Sequence, residues 1–304
     1  MKTNTTLFIC LFISSLVWAQ EKTKTNKILF EPGNIATKYV EYGATFTLDH
    51  TEVYFARSMQ EWGKGDMKSS IHHSFFDGEK WSPPQIASFS GTYDDSDPYI
   101  TDDGKTIYFI SKRPSLENTI SSDIWTVKRT SDNSWTEPER MPNPINSEKS
   151  EYSPRVDIRG NLYFASNRSG GYGQGDLYVA QNNGKGQLNA PINMGNVINS
   201  TTGEWNLEIN SNGNILIFEA SQRKENVSSY GDLYISFKRN NTWSIPQNIT
   251  ELNTSGSDLC PFLTDDLKML YFTSSDSLKS TNTNIYVTDF VPILEKYQKR
   301  ALNH

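Results

Sequence analysis

The chain has 304 residues, 36% of them hydrophobic and 12% aromatic, with 29 Lys and Arg against 35 Asp and Glu for a net charge of −6. An acidic chain is a poor partner for nucleic acid or for an anionic membrane surface, since both repel it. Of the two cysteines, Cys10 lies in an N-terminal apolar stretch and only Cys260 in the body, so a mature chain has no internal disulfide and no cysteine-built zinc site.

Residues 1–19 combine Lys2, an apolar run from Leu7 to Ile13 and a Val17-x-Ala19 ending. They read as an export signal, too short and wrongly flanked to span a bilayer. Leu7-Phe8-Ile9 ahead of Cys10 lacks the small residues that lipoprotein processing needs. The expectation is an exported protein, periplasmic or secreted, without a membrane span. Losing Lys2 takes its charge to −7. A short linker at 20–26 precedes the body.

From residue 27 onward the chain repeats. Tyr54-Phe55, Tyr108-Phe109, Tyr163-Phe164, Ile217-Phe218 and Tyr271-Phe272 recur at spacings of 54, 55, 54 and 54. Each dipeptide follows a turn such as Asp103-Gly104 or Asn212-Gly213, which joins two antiparallel strands in a tight hairpin. After it come a polar loop and a third strand, such as Asp123-Ile-Trp-Thr-Val or Asp176-Leu-Tyr-Val-Ala. A fourth strand is marked by Trp81/Pro84, Trp135/Pro138, Leu188/Pro191 and Trp243/Pro246. Four antiparallel strands per repeat make a propeller blade. The fifth copy lacks its fourth strand, and residues 29–35 match 243–249 in spacing and ending. The prediction is an all-β, five-bladed β-propeller over 27–290, its last blade closed by the N-terminal strand, with a tail at 291–304.

Residues 94–113, DDSDPYITDDGKTIYFISKR, followed by Asp123-Ile-Trp, resemble the WD-like repeat of TolB-type propellers. That resemblance covers nearly the whole mature chain. It implies an exported propeller of a kind found as protein-docking modules, as parts of envelope assemblies and, in related forms, as polysaccharide lyases.

Comparing the five copies separates architecture from function. The acid opening each innermost strand, Glu41, Asp95, Glu151, Glu204 or Asp258, is present every time and reads as structural. Arg113, Arg168 and Arg223 precede Asp123, Asp176 and Asp232, and both positions change together in copies one and five, as expected of ion pairs. The positions expected to line the channel break the pattern: Gly43/Thr45, Asp97/Tyr99, Ser153/Arg155, Asn206/Glu208 and Cys260/Phe262. Tyr99, Arg155 and Glu208 are equivalent and should meet. At the mouth, Tyr42, Tyr152 and Trp205, with Trp62, Tyr172 and Tyr230 on the loops between second and third strands, suit the apolar faces of sugars.

These side chains suggest β-elimination on a uronic-acid oligosaccharide. Arg155 would neutralise the carboxylate, and His72 or Tyr99 would act as base or acid beside Glu208. The partner would be an anionic glycan, with no metal and no cofactor. The alternative is a non-catalytic propeller docking an envelope protein or glycan. His72, counted along the third strand, falls with Thr126, Val179, Ile235 and Val287.

Overall fold

The computed structural model describes residues 27–61, 67–114, 121–275, 280 and 282–302. The expected leader at 1–19, the linker at 20–26 and Trp62 lie outside them. Five antiparallel sheets form five blades whose innermost strands are Val40–Phe46, Asp95–Ile100, Glu151–Val156, Gly203–Ile209 and Asp258–Leu263. Each pairs with the next strand in sequence, that with a third, and the third with a short outer strand. The proline of each outer-strand signature ends just before that strand, at Gln85–Ile86, Glu139–Arg140, Ile192–Asn193 and Gln247–Asn248. A residue without an N–H is tolerated there because the strand is an edge.

Ile28–Leu29 supplies the outer strand of blade five, pairing with Val287 and Tyr286. The N-terminal strand thereby closes the ring and covers the edge that the third strand of blade five would otherwise expose. Leu29 stands where Asn248 stands in blade four, since Asn248 pairs with Tyr234. It does not take the Trp243 position that the sequence match assigns. The C-terminal helix Val291–Leu302 sits on the outer side, with Ile293 and Tyr297 packed against Phe237 and Ile249.

The five repeat phenylalanines are 0–1% exposed, each contributing roughly 1.5–3 kcal/mol by leaving water. A cation lies over each of them. Arg113, Arg168 and Arg223 sit about 5 Å above Phe109, Phe164 and Phe218 and pair with Asp95, Glu151 and Glu204 at 3.0, 3.0 and 2.7 Å. The partner is thus the acid of the innermost strand, not that of the third. Asp123 instead accepts from Arg140, and Asp176 and Asp232 accept from loop N–H groups and from Asn193 and Asn248. Nor is the motif lost elsewhere. Arg57 covers Phe55 and pairs with Glu41 at 2.9 Å in blade one. In blade five the N-terminal segment brings Lys27 over Phe272 and Tyr286.

Every innermost strand carries a bulge two or three residues after its start. At Gly43, Asp97, Ser153 and Cys260 the backbone turns left-handed, with φ of 64° or 48°. Such a bulge swings the side chain out of the sheet. It aims these residues at the axis, and Pro98, Pro154 and Pro261 follow where no ladder N–H is needed.

Candidate functional site

The axis is filled in two layers. Gly43, Asp97, Ser153, Asn206 and Cys260 form the layer nearer the loops between second and third strands. Thr45, Tyr99, Arg155, Glu208 and Phe262 form the layer beyond it. Arg155 donates to Glu208 Oε2 at 2.8 Å and to the Pro154 carbonyl at 2.8 Å, and its guanidinium lies 5.3 Å from the centre of the Tyr99 ring. The Tyr99 hydroxyl donates to the Val156 carbonyl at 2.9 Å.

Arg155 is 1% exposed and Glu208 4%. Burial pushes Glu208 upward and the Arg155 charge opposes it. Tyr99, Arg155 and Glu208 therefore do come together, but as a plug. Tyr99 and Glu208 border a pocket of only about 30 Å³ on the opposite face, together with His50 and Asp102. None of the three lines the large cavity.

His72 lies outside the axis altogether. It pairs with Phe55 and Ile86 in the outer half of blade one, stacks on Phe55 at 5.9 Å, and bonds through Nδ1 to the Ser70 carbonyl at 3.1 Å. Phe109, Phe164, Phe218 and Phe272 pair in the same way with Trp125, Tyr178, Tyr234 and Tyr286. His72 is thus the blade-one member of an aromatic series, one residue out of step with the Thr126 alignment. The offset arises because Ser58 and Ser69 add a rung to this hairpin. Burial, aided by Arg57 and His73, lowers its pKa to about 4.

On the loop face the channel opens into a funnel of about 1040 Å³. Tyr42, Tyr152 and Trp205 are in its wall. Tyr42 is held by a 2.8 Å hydrogen bond to Ser69 Oγ. Tyr152 meets Trp205 edge-on at 5.7 Å and 84°, and Trp205 Nε1 donates to Ser221 Oγ at 3.2 Å. The indole lies between Gly175 and Gly203, where a Cβ would come within 2.6 and 2.9 Å of it. Tyr172 and Tyr230 are 49% and 57% exposed and stand outside the cavity wall.

The floor carries two carboxylates. Asp97 Oδ2 accepts the Ser153 N–H at 3.1 Å, and Oδ1 has no hydrogen-bond partner among the described residues. Its pKa is raised by burial, against the pull of the Ser153 N–H and the Arg155 charge behind it. Glu219, on the second strand of blade four, accepts from Asn206 Nδ2 at 2.5 Å. Burial, with Asp97 and Asp258 nearby, raises its pKa to about 7. Sequence reasoning placed Asp97 in the channel and gave it no role, and it passed over Glu219. The signal for Glu219 was present: the residue after the repeat phenylalanine is Ala56, Ile110, Ala165 and Thr273 in the other blades.

The rim adds Lys68, Lys112 and Asp94. Lys112 pairs with Asp94 at 2.7 Å, and Lys68 donates to the Gly91 and Thr92 carbonyls. The lining thus carries three carboxyl groups, Asp94, Asp97 and Glu219, and two lysines, of which Lys112 is paired with Asp94.

Fold and site together define a closed five-bladed propeller with an open, carboxylate-floored funnel and a plugged axis. No family model and no curated protein sequence matches the chain. Similar solved structures include a glycoside hydrolase (TM-score 0.60, 10% identity, 88% of this chain and 92% of that one). An endo-arabinase from Bacteroides thetaiotaomicron is also similar (TM-score 0.51, 12% identity, 84% and 96%). So is TolB from Acinetobacter baumannii (TM-score 0.50, 13% identity), of which this chain, matched over 83% of its length, spans 55%. At such identities the likeness is one of fold.

Proposed function

We propose that this protein is an exported glycan-processing propeller. A neutral oligosaccharide enters the funnel, lies against Trp205 and Tyr152, and is hydrolysed between Glu219 as general acid and Asp97 as general base. One observation carries this reading: two buried carboxylates share the floor of an open funnel, burial raises the pKa of both, and a cation stands near one of them while only acids stand near the other. Burial and the nearby Asp94 raise Asp97, and the Ser153 N–H and the Arg155 charge oppose that rise. Glu219 accepts from the Asn206 amide, but burial and the like charges of Asp97 and Asp258 outweigh that donor and raise its pKa to about 7. Glycosidic hydrolysis needs a carboxyl that holds its proton and a second carboxylate to activate water, and in this reading Glu219 and Asp97 take those two parts. The fold neighbours include a glycoside hydrolase and an endo-arabinase, which supports a carbohydrate substrate. Export rests on residues 1–19, and the resemblance to TolB-type repeats agrees with it.

The lyase chemistry suggested by the sequence has lost its parts. Arg155 and Glu208 neutralise one another in the plug, His72 is in the outer half of a blade, and the rim lysines are occupied. A second reading, docking without turnover, draws on Tyr172 and Tyr230, whose exposed rings flank the mouth as interface anchors do. The test is incubation with a panel of neutral and uronate oligosaccharides, following reducing ends and ultraviolet absorbance separately. Reducing ends without absorbance support hydrolysis; absorbance from uronates restores the lyase. Binding with neither signal supports docking.

A further inference from the structure

On the floor of the funnel, Cys260 Sγ lies 3.0 Å from Asn206 Oδ1, and Asn206 Nδ2 lies 2.5 Å from Glu219 Oε2. Asn206 and Cys260 hold the same bulge position in the consecutive blades four and five, whose innermost strands lie side by side, so the two are neighbours. A primary amide has a donor edge and an acceptor edge, and which of them meets a carboxyl group decides where that group keeps its proton. An NH2 edge on Oε2 occupies that oxygen as an acceptor, so the proton of the acid form rests on Oε1. A carbonyl edge would take the proton into its own hydrogen bond and withdraw it from a substrate.

We infer that Cys260 is a positioning residue for the acid: its S–H donates to Asn206 Oδ1 and locks the amide with its NH2 edge toward Glu219. This rests on the role proposed for Glu219. The thiol suits the task because burial and the charges of Asp97 and Glu219 hold its pKa well above the ordinary range, so it stays a donor. The charged groups facing Glu219 are Asp97 from blade two and Asp258 from the innermost strand of blade five, and both disfavour its ionised form. Oε1 lies over Gly231, where a Cβ would come within 2.8 Å of the Glu219 Cδ. The absence of that carbon leaves room for the protonated oxygen.

Carboxyl-carbon NMR of the full chain tests this, with the Glu219 signal assigned by its loss in Glu219→Gln. Wild type should titrate near 7, and Cys260→Ser, which keeps a donor, should titrate with it. Cys260→Ala frees the amide and should move the midpoint up by about one pH unit, because the ionised carboxylate loses a fixed donor. An unchanged midpoint in Cys260→Ala, or a serine variant that behaves like alanine, overturns the inference. Should the alanine variant not fold, wild type alone decides: the Asn206 NH2 protons should show cross-relaxation to the Glu219 side chain, and cross-relaxation to the Cys260 Cβ protons instead overturns it. Absence of glycan turnover with this titration pattern intact would defeat the functional reading and leave the positioning role standing.

Discussion

Arg155 of blade three and Glu208 of blade four meet at 2.8 Å on the axis of the ring, both almost fully buried. Removing one partner leaves an uncompensated charge in a low-dielectric site, whereas replacing both by apolar side chains of similar size does not. Arg155→Met should therefore lower the unfolding free energy by about 3–5 kcal/mol, and Arg155→Met with Glu208→Leu should recover most of that loss. Urea unfolding of the three proteins checks it. A single variant as stable as wild type would mean that the pair is not the plug described.

The histidine in blade one should behave as a packing residue with an acid weakness. Its folded pKa is about 4, below the ordinary 6.5, so the unfolded chain takes up the proton first. The stability linked to His72 is complete above pH 6.5 and drains away as the pH falls toward 4. His72→Tyr, which supplies the ring found in blades three to five, should flatten that part of the stability profile, as read from urea midpoints at pH 7 and 4.5.

Lys27 should matter more than its place at the start of the described chain suggests. It lies 4.5 Å from the centre of the Tyr286 ring and donates to Ser274 Oγ at 3.1 Å. Lys27→Met should cost about 1–2 kcal/mol in thermal unfolding, and Lys27→Arg should cost less. Equal losses in the two variants would separate the effect from the cation.

Glu219 has the opposite sign to an ordinary salt-bridged acid. Its folded pKa is raised from 4.5 to about 7, so its contribution to stability is intact below pH 4.5 and lost as the pH rises through 7. At pH 8 the Glu219→Gln variant should be the more stable protein, by up to about 3 kcal/mol, and near pH 4.5 the two should converge. Chemical denaturation at both pH values checks it.

Much of this architecture was written in the chain. A dipeptide repeated five times fixed the number of blades, and the missing outer strand pointed to closure from the N-terminus. Positions that depend on counting were less legible. One added rung in blade one shifts His72 by a residue, and Arg57 follows its phenylalanine by two residues where Arg113 and Arg168 follow by four and Arg223 by five, which no comparison of periods reveals. The plug was half legible: Tyr99, Arg155 and Glu208 share a position, but how far they reach along the axis depends on the bulges that precede them. Glu219 was missed because symmetry was applied to the innermost strands, the arginines and the third strands but not to the residue after the repeat phenylalanine. The same filter on the second strands separates it from two alanines, an isoleucine and a threonine.

The central claim is that Glu219 and Asp97 act on a glycan in the funnel, and the most direct measurement is reducing-end release from neutral oligosaccharides by wild type, Glu219→Gln and Asp97→Asn. Wild type should turn over, and each variant should lose roughly a hundredfold or more of the rate while still binding the sugar. Turnover in Glu219→Gln at the wild-type rate would contradict the account.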